Sequence, residues 1–359
     1  MGEIELAWYA SGIIENKLYI ASELFKKIYE IDLNTKKTES LEDIDCRLYF
    51  EEMHAIRDAV VYKDYVYFMG MYGTGYFRYS VKNKTCSGKI VARSSYMADY
   101  VMEDEDNIIV STIKPWEKVW RLNLDIGEYH IVKTDCSDIK EILMNSDSST
   151  HYSALCENKV YYPIVASEYV AVLNLVHDKF ECIKIAGYKL FGVVKYQDEI
   201  IFSIYGSYDL IKYTTNTHAI TIIRINNKKV INKDEVAYSK MHIADDKLLL
   251  LPSNKVDKIM IYNFENSSFQ EIDYPVGFQL NKKGKYLYSF YEVNRYKDKL
   301  IISQLSSNMM LFLDINTLEL SGVRIVDDNL KERIREISYH NDIIQESNEI
   351  NLETFINTI

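Results

Sequence analysis

The sequence is poor in the residues that mark linkers and disorder, with 4 Pro and 13 Gly in 359 residues. Disordered segments are typically enriched in such residues, so continuous folded structure is expected over all but about the last thirty residues. No run of about 18 consecutive apolar residues occurs, which excludes a transmembrane helix. The N-terminal MGEIELAWYASG lacks a basic region and a long apolar core, so no signal peptide is predicted.

Positive charge is also scarce. Lys and Arg number 42 against 53 Asp and Glu, a net charge of −11, and no basic block is present. Such a balance repels phosphates and anionic lipid headgroups. The expected partners therefore include neither nucleic acid nor membrane.

Cysteines are few, odd in number and widely spaced, without a C-x-x-C pair: Cys46, Cys86, Cys136, Cys156 and Cys182. This pattern predicts free thiols in a reducing compartment, and neither a disulfide framework nor a zinc site. The cytoplasm is the simplest location. Tyrosine, in contrast, is abundant at 30 residues. It suits strands, and it suits interfaces because it offers a rigid face with one polar tip.

The stretch GIIENKLYIA, which begins at Gly12, returns in degenerate form along the chain, for example as SALCENKVYYPI from Ser153 and HIADDKLLLL from His242. Each copy has a short apolar segment, a polar pair that ends in Asn or Asp, and a strand-like run. The Asn and Asp residues, here named the anchors, suit tight hairpin turns because they tolerate positive φ. They are spaced 40 to 52 residues apart: Asn16, Asp64, Asn107, Asn158, Asp198, Asp246 and Asp298.

A second strand-turn-strand element follows each anchor by about 15 to 18 residues, as in IYEIDLNTKKTE from Ile28 and LFLDINTLELSG from Leu311. Each repeat therefore carries four strands, and a period of 40 to 50 residues with four antiparallel strands is typical of a propeller blade. The fold class predicted is all-β: a seven-bladed β-propeller over residues 4–326. Blades one and seven each appear complete, so ring closure by side-chain packing without strand exchange is expected.

The patterns Ile-Asp-Leu-Asn-Thr at 31–35 and Leu-Asp-Ile-Asn-Thr at 313–317 resemble those of bacterial Kelch-like or YVTN-like propellers. The double glycine of Kelch blades and the Gly-His and Trp-Asp dipeptides of WD40 blades are absent. The resemblance implies the fold and carries over no catalytic or binding residue.

Function is expected on the face that carries the loops between second and third strands, because these loops are longer and more aromatic than the turns. Counting seven residues back from each anchor predicts a rim at the channel mouth: Tyr9, preceded by Trp8, then Arg57, Tyr100, His151, Phe191, Ser239 and Tyr291. The alternative is that these residues fill the hub between blades. The outer loops add Tyr72, Trp116 and Tyr208 as candidate contacts. The stretch MGMYGTGY at 69–76 lacks the Lys and following helix of a phosphate loop, so it is interpreted as a hairpin loop.

No metal, cofactor or catalytic residue is predicted. The histidines His54, His151 and His242 lie 10, 7 and 4 residues before their anchors, and hence at different depths of the channel. No nucleophile motif such as G-x-S-x-G occurs. Arg57-Asp58 and Glu51-Glu52 are interpreted as a rim salt bridge and a solvated face.

The C-terminal segment 327–359 has helical periodicity in its apolar residues, and Asp327-Asp328 suits a helix start. It is predicted to be a short helical tail that either packs on the propeller or is offered to a partner or second copy.

Two functions follow from this sequence. The first is a non-catalytic recognition scaffold that binds a protein or peptide through the aromatic loop face. The second is a propeller enzyme, a lyase or carbohydrate-active protein, with its site at the channel mouth near Arg57 and His151.

Overall fold

The computed structural model describes residues 8–22, 27–41, 49, 56–70, 72–116, 118–145, 149–225, 231–276, 278, 290–304 and 309–324. For some residues within its strands, Trp8, Tyr9, Arg57, Tyr72 and Tyr291 among them, the backbone alone is described. The predicted helical tail at 327–359 lies outside the described residues.

Twenty-seven strands form seven consecutive antiparallel blades in the described chain. Blade 1 contains Trp8–Ile14 (β1), Lys17–Ser22 (β2), Lys27–Asp32 (β3) and Thr38–Ser40 (β4). Blade 2 contains Ile56–Tyr62 (β5), Tyr65–Gly70 (β6), Tyr72–Ser80 (β7) and the first part of Thr85–Met102 (β8). Blade 3 contains the end of β8 with Asn107–Thr112 (β9), Lys118–Asn123 (β10) and Glu128–Lys133 (β11).

The remaining blades each have four strands of their own. Blade 4 contains Ala154–Cys156 (β12), Lys159–Pro163 (β13), Tyr169–Asn174 (β14) and Lys179–Lys184 (β15). Blade 5 contains Leu190–Tyr196 (β16), Glu199–Ile204 (β17), Leu210–Thr214 (β18) and Ile220–Ile223 (β19). Blade 6 contains Tyr238–Ala244 (β20), Lys247–Pro252 (β21), Ile259–Asn263 (β22) and Ser268–Ile272 (β23). Blade 7 contains Phe290–Tyr296 (β24), Lys299–Gln304 (β25), Met309–Asp314 (β26) and Leu320–Arg324 (β27).

The first strands of successive blades contact one another in chain order, and β24 contacts β1, so they line the centre of a closed seven-membered ring. This confirms the predicted seven-bladed propeller. Second strands are buried along nearly their whole length because the neighbouring blades cover both faces, which explains their continuous apolar runs. The fourth strands are largely exposed, as in β11.

Blades 2 and 3 form one seven-stranded sheet because the 18-residue strand β8 runs through both. The neighbouring strands β6 and β7 are separated by one residue, since β6 ends at Gly70 and β7 begins at Tyr72. The hairpin predicted at 69–76 is present, since Met69 pairs with Tyr76, but its residues from Tyr72 onward are extended strand and not an irregular loop. Its Tyr and Thr residues extend β7 along β8, where Tyr72 pairs with Tyr96 and Thr74 with Ala92.

The anchors join the two turns of each blade. In all seven blades, the backbone N–H that follows the third strand donates to a carbonyl at the first hairpin, at 2.7 to 3.0 Å. The pairs are Leu33 to Asn16, Val81 to Asp64, Leu124 to Asp106, Leu175 to Asn158, Thr215 to Asp198, Phe264 to Asp246 and Ile315 to Asp298. Blade 3 thus uses Asp106 where the sequence predicted Asn107, because its first hairpin loop is longer.

Positive φ occurs one residue before the predicted position. The left-handed residues of the first hairpins are Glu15, Lys63, Glu157, Gln197, Asp245 and Lys297, each directly before an anchor. The anchor side chains have another use in two blades, where they accept a hydrogen bond from a tyrosine of the preceding blade. Tyr196 donates to Asp246 at 2.7 Å, and Tyr62 donates to Asp106.

In blades 1 and 7, the turn between third and fourth strands is held by the Asp that lies two residues before the predicted turn pair. Oδ1 of Asp314 accepts from the N–H groups of Asn316 and Thr317 at 2.9 Å, and Asp32 does the same for Asn34 and Thr35. Such bonds hold a turn locally. This explains why both of the repeated patterns carry Asp before the Asn-Thr pair.

The ring closes by side-chain packing between blades 1 and 7, without strand exchange among the described strands. The buried seam joins Leu18, Ile20, Tyr29, Ile31 and Leu33 of blade 1 to Ile301, Met310 and Phe312 of blade 7. Among the described residues, two hydrogen bonds join these blades, from Nδ2 of Asn294 to Oγ of Ser11 at 2.7 Å and from the Tyr296 hydroxyl to Oδ1 of Asn34 at 3.3 Å. The Lys36 ammonium lies 3.7 Å from the centre of the Phe312 ring.

Other predictions are confirmed in part. The stretch SDIKEILMN, whose sequence predicts a short helix between blades 3 and 4, forms a 3₁₀ turn at Ser137–Ile139 followed by an α-helix at Lys140–Asn145. Within the described part of the chain, no helix is long and apolar enough to cross a membrane.

The cysteines depart from expectation. Cys136, Cys156 and Cys182 are free thiols, but Cys86 is disulfide-bonded, so the prediction of five free thiols is wrong. Cys46 lies outside the described residues. The cytoplasmic location, which was inferred from the thiols, stays a prediction.

Candidate functional site

The inner strands carry β-bulges close to the channel mouth. Six of the seven ladders between first and second strands shift register there: at Trp8/Ala10, Ile56/Asp58, Met97/Asp99, Leu190/Val193, Tyr238/Lys240 and Phe290/Val293. A bulge inserts an unpaired residue and turns the following side chain in a new direction. Strict counting along these strands therefore fails at this level.

One residue per blade lies at the level of the bulges, opposite the fifth residue of the second strand. We name this set the channel ring: Ala10, Asp58, Asp99, Tyr152, Gly192, Lys240 and Glu292. Tyr152 is placed in it by its distance from the anchor Asn158. The ring combines three carboxyl groups with one ammonium group.

Glu292 has the most strongly shifted pKa of the channel ring. Its side chain is 13% exposed, and its carboxylate lies 3.9 Å from the Lys240 ammonium. Burial, and then the charge and hydrogen bond of the Asp58 carboxyl, raise the pKa of Glu292 to about 8, although Lys240 opposes the shift.

Backbone contacts hold Glu292 in place. Oγ of Ser303 accepts a hydrogen bond from the Glu292 N–H at 3.2 Å, and Ser203 does the same for Gly192 in blade 5 at 2.9 Å. These serines satisfy the N–H groups that the bulges free from the ladder. Oε2 of Glu292 is inaccessible to solvent and has no hydrogen-bond partner in the described structure.

Small ring residues let longer neighbours reach across a blade. The Tyr152 hydroxyl in blade 4 donates to the Ser239 carbonyl in blade 6 at 2.6 Å, and blade 5 contributes only Gly192 between them. A Cβ on Gly192 would lie 2.8 Å from Oγ of Ser203. On the opposite side, blade 1 contributes only the small Ala10 between Asp58 and Glu292, which interact with each other.

Blade 3 adds two further polar groups. The Asp99 carboxylate accepts from the N–H of Ser153 at 2.6 Å and from its hydroxyl at 3.0 Å. The Tyr100 hydroxyl donates to the Ala59 carbonyl at 2.9 Å. Burial, followed by the charges of Glu292, Asp58 and Asp99, raises the pKa of Tyr100 well above its usual range.

Aromatic rings lie against the mouth above this polar group. We name them the mouth cluster: His151, Tyr152, Phe191 and Tyr205, of which Phe191 is buried and the others are half-buried. The Phe191 ring centre is 5.9 Å from that of His151, 5.8 Å from that of Tyr152 and 5.7 Å from that of Tyr205. The last two contacts are edge-to-face, the arrangement that aromatic pairs favour.

The predicted rim is thus only partly assembled. Phe191 and Ser239 are buried, with Ser239 donating to the Pro252 carbonyl at 3.1 Å. Tyr100 is half-buried and ties blade 3 to blade 2, while His151 belongs to the mouth cluster. The side chains of Trp8, Tyr9, Arg57 and Tyr291 lie outside the description, so their part in a rim stays a prediction.

The outer-loop aromatics lie between blades. Trp116 is 5% exposed and packs edge-to-face on Tyr162 and Phe180, and Tyr208 is 6% exposed and packs on Tyr238. Both fill the core in this structure and present little surface to a partner. The Tyr72 side chain lies outside the description.

The histidines give no sign of a shared metal site among the described residues. His242 is half-buried, and its loss of solvation, with the nearby Lys240 and Arg295, lowers its pKa to about 4. Among the described residues, no group of three His, Cys, Asp or Glu side chains could hold a metal ion. His54 lies outside the description.

Sequence reasoning missed Asp58, Asp99, Lys240 and Glu292 as a group. Counting six residues back from the anchors finds Asp58, Tyr152, Gly192, Lys240 and Glu292, but it misses Asp99, which lies seven residues before Asp106. The sequence did hold one signal: three ionisable residues, Asp58, Lys240 and Glu292, each lie six residues before an anchor.

No protein-family model matches the chain, and no curated protein matches its sequence. Solved propeller structures are similar in fold. They include virginiamycin B lyase from Staphylococcus aureus, with a TM-score of 0.60 at 14% identity over 85% of this chain and 96% of that one. YCF48 from Cyanidioschyzon merolae gives 0.61 at 10% identity over 85% and 95%. A streptogramin B lyase gives 0.59 at 12% identity over 85% and 92%. At such identities the likeness shows a shared β-propeller fold and no shared activity.

Proposed function

We propose that the protein is a non-catalytic recognition scaffold, which binds a protein or peptide at the mouth of the propeller channel. One observation carries the proposal. The half-exposed aromatic rings of the mouth cluster lie directly beside an ionisable channel ring that contains an unpaired carboxylate oxygen. Aromatic faces beside a few convergent polar groups are typical of recognition sites.

The rigidity of the site supports binding. Tyr152 is held by its bond to Ser239, and the inner strands are fixed by ladders on a closed ring. A preorganised surface loses less side-chain entropy when a partner binds. The proposal keeps the mouth as the contact surface and moves it from the outer loops to the channel ring.

The test is selection of peptides from a random displayed library on the immobilised protein. Peptides that bind are expected to lose about tenfold or more in affinity for Tyr205→Ala, because truncated aromatic anchors often cost more than 1 kcal/mol. Phe264→Ala, a truncation at the turns on the opposite face, serves as the control and is expected to bind normally. Equal losses in both variants, or no selectable peptide, would contradict the proposal.

A second candidate is a propeller enzyme, and the pKa of about 8 for Glu292 favours it because such a group could donate a proton near neutral pH. Mass spectrometry of a bound peptide or oligosaccharide after incubation distinguishes the two. An unchanged mass supports the scaffold. A mass change that is lost in Glu292→Gln supports the enzyme.

A further inference from the structure

The channel ring has an excess of acidic groups over cations. Asp58, Asp99 and Glu292 come from blades 2, 3 and 7, and Lys240 of blade 6 is the only lysine of the ring. At 3.9 Å, the Lys240 ammonium is too far from the Glu292 carboxylate for a short charged hydrogen bond. The Lys240 ammonium therefore leaves Oε2 of Glu292 without a hydrogen bond.

The unpaired Oε2 of Glu292 is an independent observation. Buried polar atoms in folded proteins nearly always have a hydrogen-bond partner, so an exception needs an explanation. Ser303 fixes the backbone at Glu292, which lies within the bulge of the first strand of blade 7. The orphan oxygen is thus held in a defined position with its hydrogen-bonding capacity unused.

The mouth cluster supplies the walls of such a site. His151, Tyr152 and Tyr205 are half-buried around Phe191 and leave part of their rings accessible. A cation within about 6 Å of an aromatic face is stabilised by the ring quadrupole. A cationic group that enters along these rings would meet the carboxyl groups next.

We propose that the channel mouth receives the side chain of a lysine or arginine presented by the bound protein or peptide, with its N–H groups donating to Glu292 and Asp58. This inference rests on the proposed function and specifies what the scaffold recognises. A carboxylate at the same place would face Asp58, Asp99 and Glu292, and an aliphatic side chain would leave the Glu292 oxygen unpaired.

The experiment measures binding of four capped amino acids, N-acetyl N′-methylamides of lysine, arginine, norleucine and glutamate. Alanine-methyl NMR of the full chain reports the site, because Ala10 and Ala59 lie at the ring whereas Ala219 lies in an exposed turn on the opposite face. The lysine or arginine compound is expected to bind at least tenfold more tightly than norleucine and to shift Ala10 or Ala59 but not Ala219. Glutamate is expected to bind more weakly than norleucine.

Two variants test which carboxyl groups the cation contacts. Glu292→Gln is expected to abolish the preference for the cation, and Asp58→Asn to reduce it, in proteins whose fold is checked by circular dichroism. Glu319→Gln removes the same charge from an exposed position on the same blade and is expected to keep the preference. Equal binding of cation and norleucine, or a preference unchanged in Glu292→Gln, would overturn the inference.

Failure of this inference and failure of the proposed function are distinguishable. If selected peptides depend on Tyr205 but show no basic residue and no cation preference, the scaffold stands and the cationic specificity falls. If the capped cations bind at Ala10 but no peptide can be selected, the ring binds cations without a recognition scaffold.

Discussion

Glu292 is a carboxyl group that the fold keeps protonated at a pH where the unfolded chain ionises it. Its pKa is about 8, against an ordinary value of 4.5. The native state therefore binds more protons than the unfolded state between these values, and stability falls as pH rises through that window. The contribution is fully present below pH 4.5 and is lost above about pH 8.

Ionising the buried Glu292 carboxyl group costs the native state free energy. Replacing Glu292 by Gln should remove this cost, and the Gln amide keeps a hydrogen-bond donor for Asp58. We expect the free energy of unfolding of Glu292→Gln to exceed that of the native protein by a few kcal/mol at pH 8, and by much less at pH 5. Urea unfolding at both pH values measures the difference. Glu319→Gln is the control, and a Glu292→Gln advantage that is constant with pH would contradict the prediction.

Glu157 occupies the left-handed region at a φ of 55°, directly before the anchor Asn158. A β-branched residue resists this conformation, so Glu157→Val should cost about 1 kcal/mol of stability. Glu157→Gly should be tolerated because glycine adopts positive φ freely. Denaturant unfolding compares both variants with Asn158→Val, which should cost less. A larger loss at Asn158 than at Glu157 would refute this assignment.

Residue-scale prediction from the sequence succeeded for the turn positions and failed for the side-chain directions. The anchors Asn16, Asp64 and Asp298 lie in the predicted hairpins, since Asn and Asp suit turns. Counting along the strands could not place side chains at the channel mouth, because a bulge breaks the period of two and nothing in the local sequence around Tyr291 or Arg57 signals the extra residue.

The bulged first strand of blade 7, β24, is the element that positions Glu292. Ser303 accepts the N–H of Glu292, so Ser303→Ala should leave a buried N–H unpaired and cost about 1 kcal/mol of stability. It should also weaken the preference for a cation. Ser203→Ala is the matched control, because Ser203 holds Gly192 in the same way but aims no charged side chain. Calorimetry and the alanine-methyl titration together measure both effects.

The two serine variants should therefore have similar stability losses and different effects on binding. If Ser203→Ala reduces the cation preference as much as Ser303→Ala does, the bulge in blade 7 has no special role. If Ser303→Ala leaves the preference intact, Glu292 is held by other contacts.

At the scale of elements, most of the sheet could be predicted from alternating and continuous apolar runs. The start of the strand at 72–80 could not be, because MGMYGTGY carries three glycines and is typical of a loop by local preference. Pairing with the long strand β8 overrides that preference. Tertiary pairing of this kind has no short-range signal.

The whole ring depends on a seam that has no shared strand. Phe312 is 3% exposed in this seam, and truncation of a buried Phe typically costs about 3 to 5 kcal/mol. We expect Phe312→Ala to lower the melting temperature and to speed hydrogen exchange first in blades 1 and 7. Exchange measured by mass spectrometry should leave blades 4 and 5 the slowest. Phe202→Ala, in the packing between blades 4 and 5, is the control and should speed exchange there instead.

Equal acceleration around the ring in both variants would show that the propeller opens only as one unit. The seven blades and their closure followed from the repeat and from the completeness of the terminal blades. What the sequence could not predict was the convergence of Asp58, Asp99, Lys240 and Glu292, because these residues are 41 or more positions apart and meet only when the ring closes.

The absence of strand exchange among the described strands has a consequence for how the protein is made. Blades 1 and 4 to 7 each take all their strands from one short segment, so each can complete its sheet as soon as that segment leaves the ribosome. Blades 2 and 3 cannot be completed separately during synthesis, because both need the strand β8. Assembly during synthesis should proceed in six steps for seven blades, with the channel ring complete only after the last.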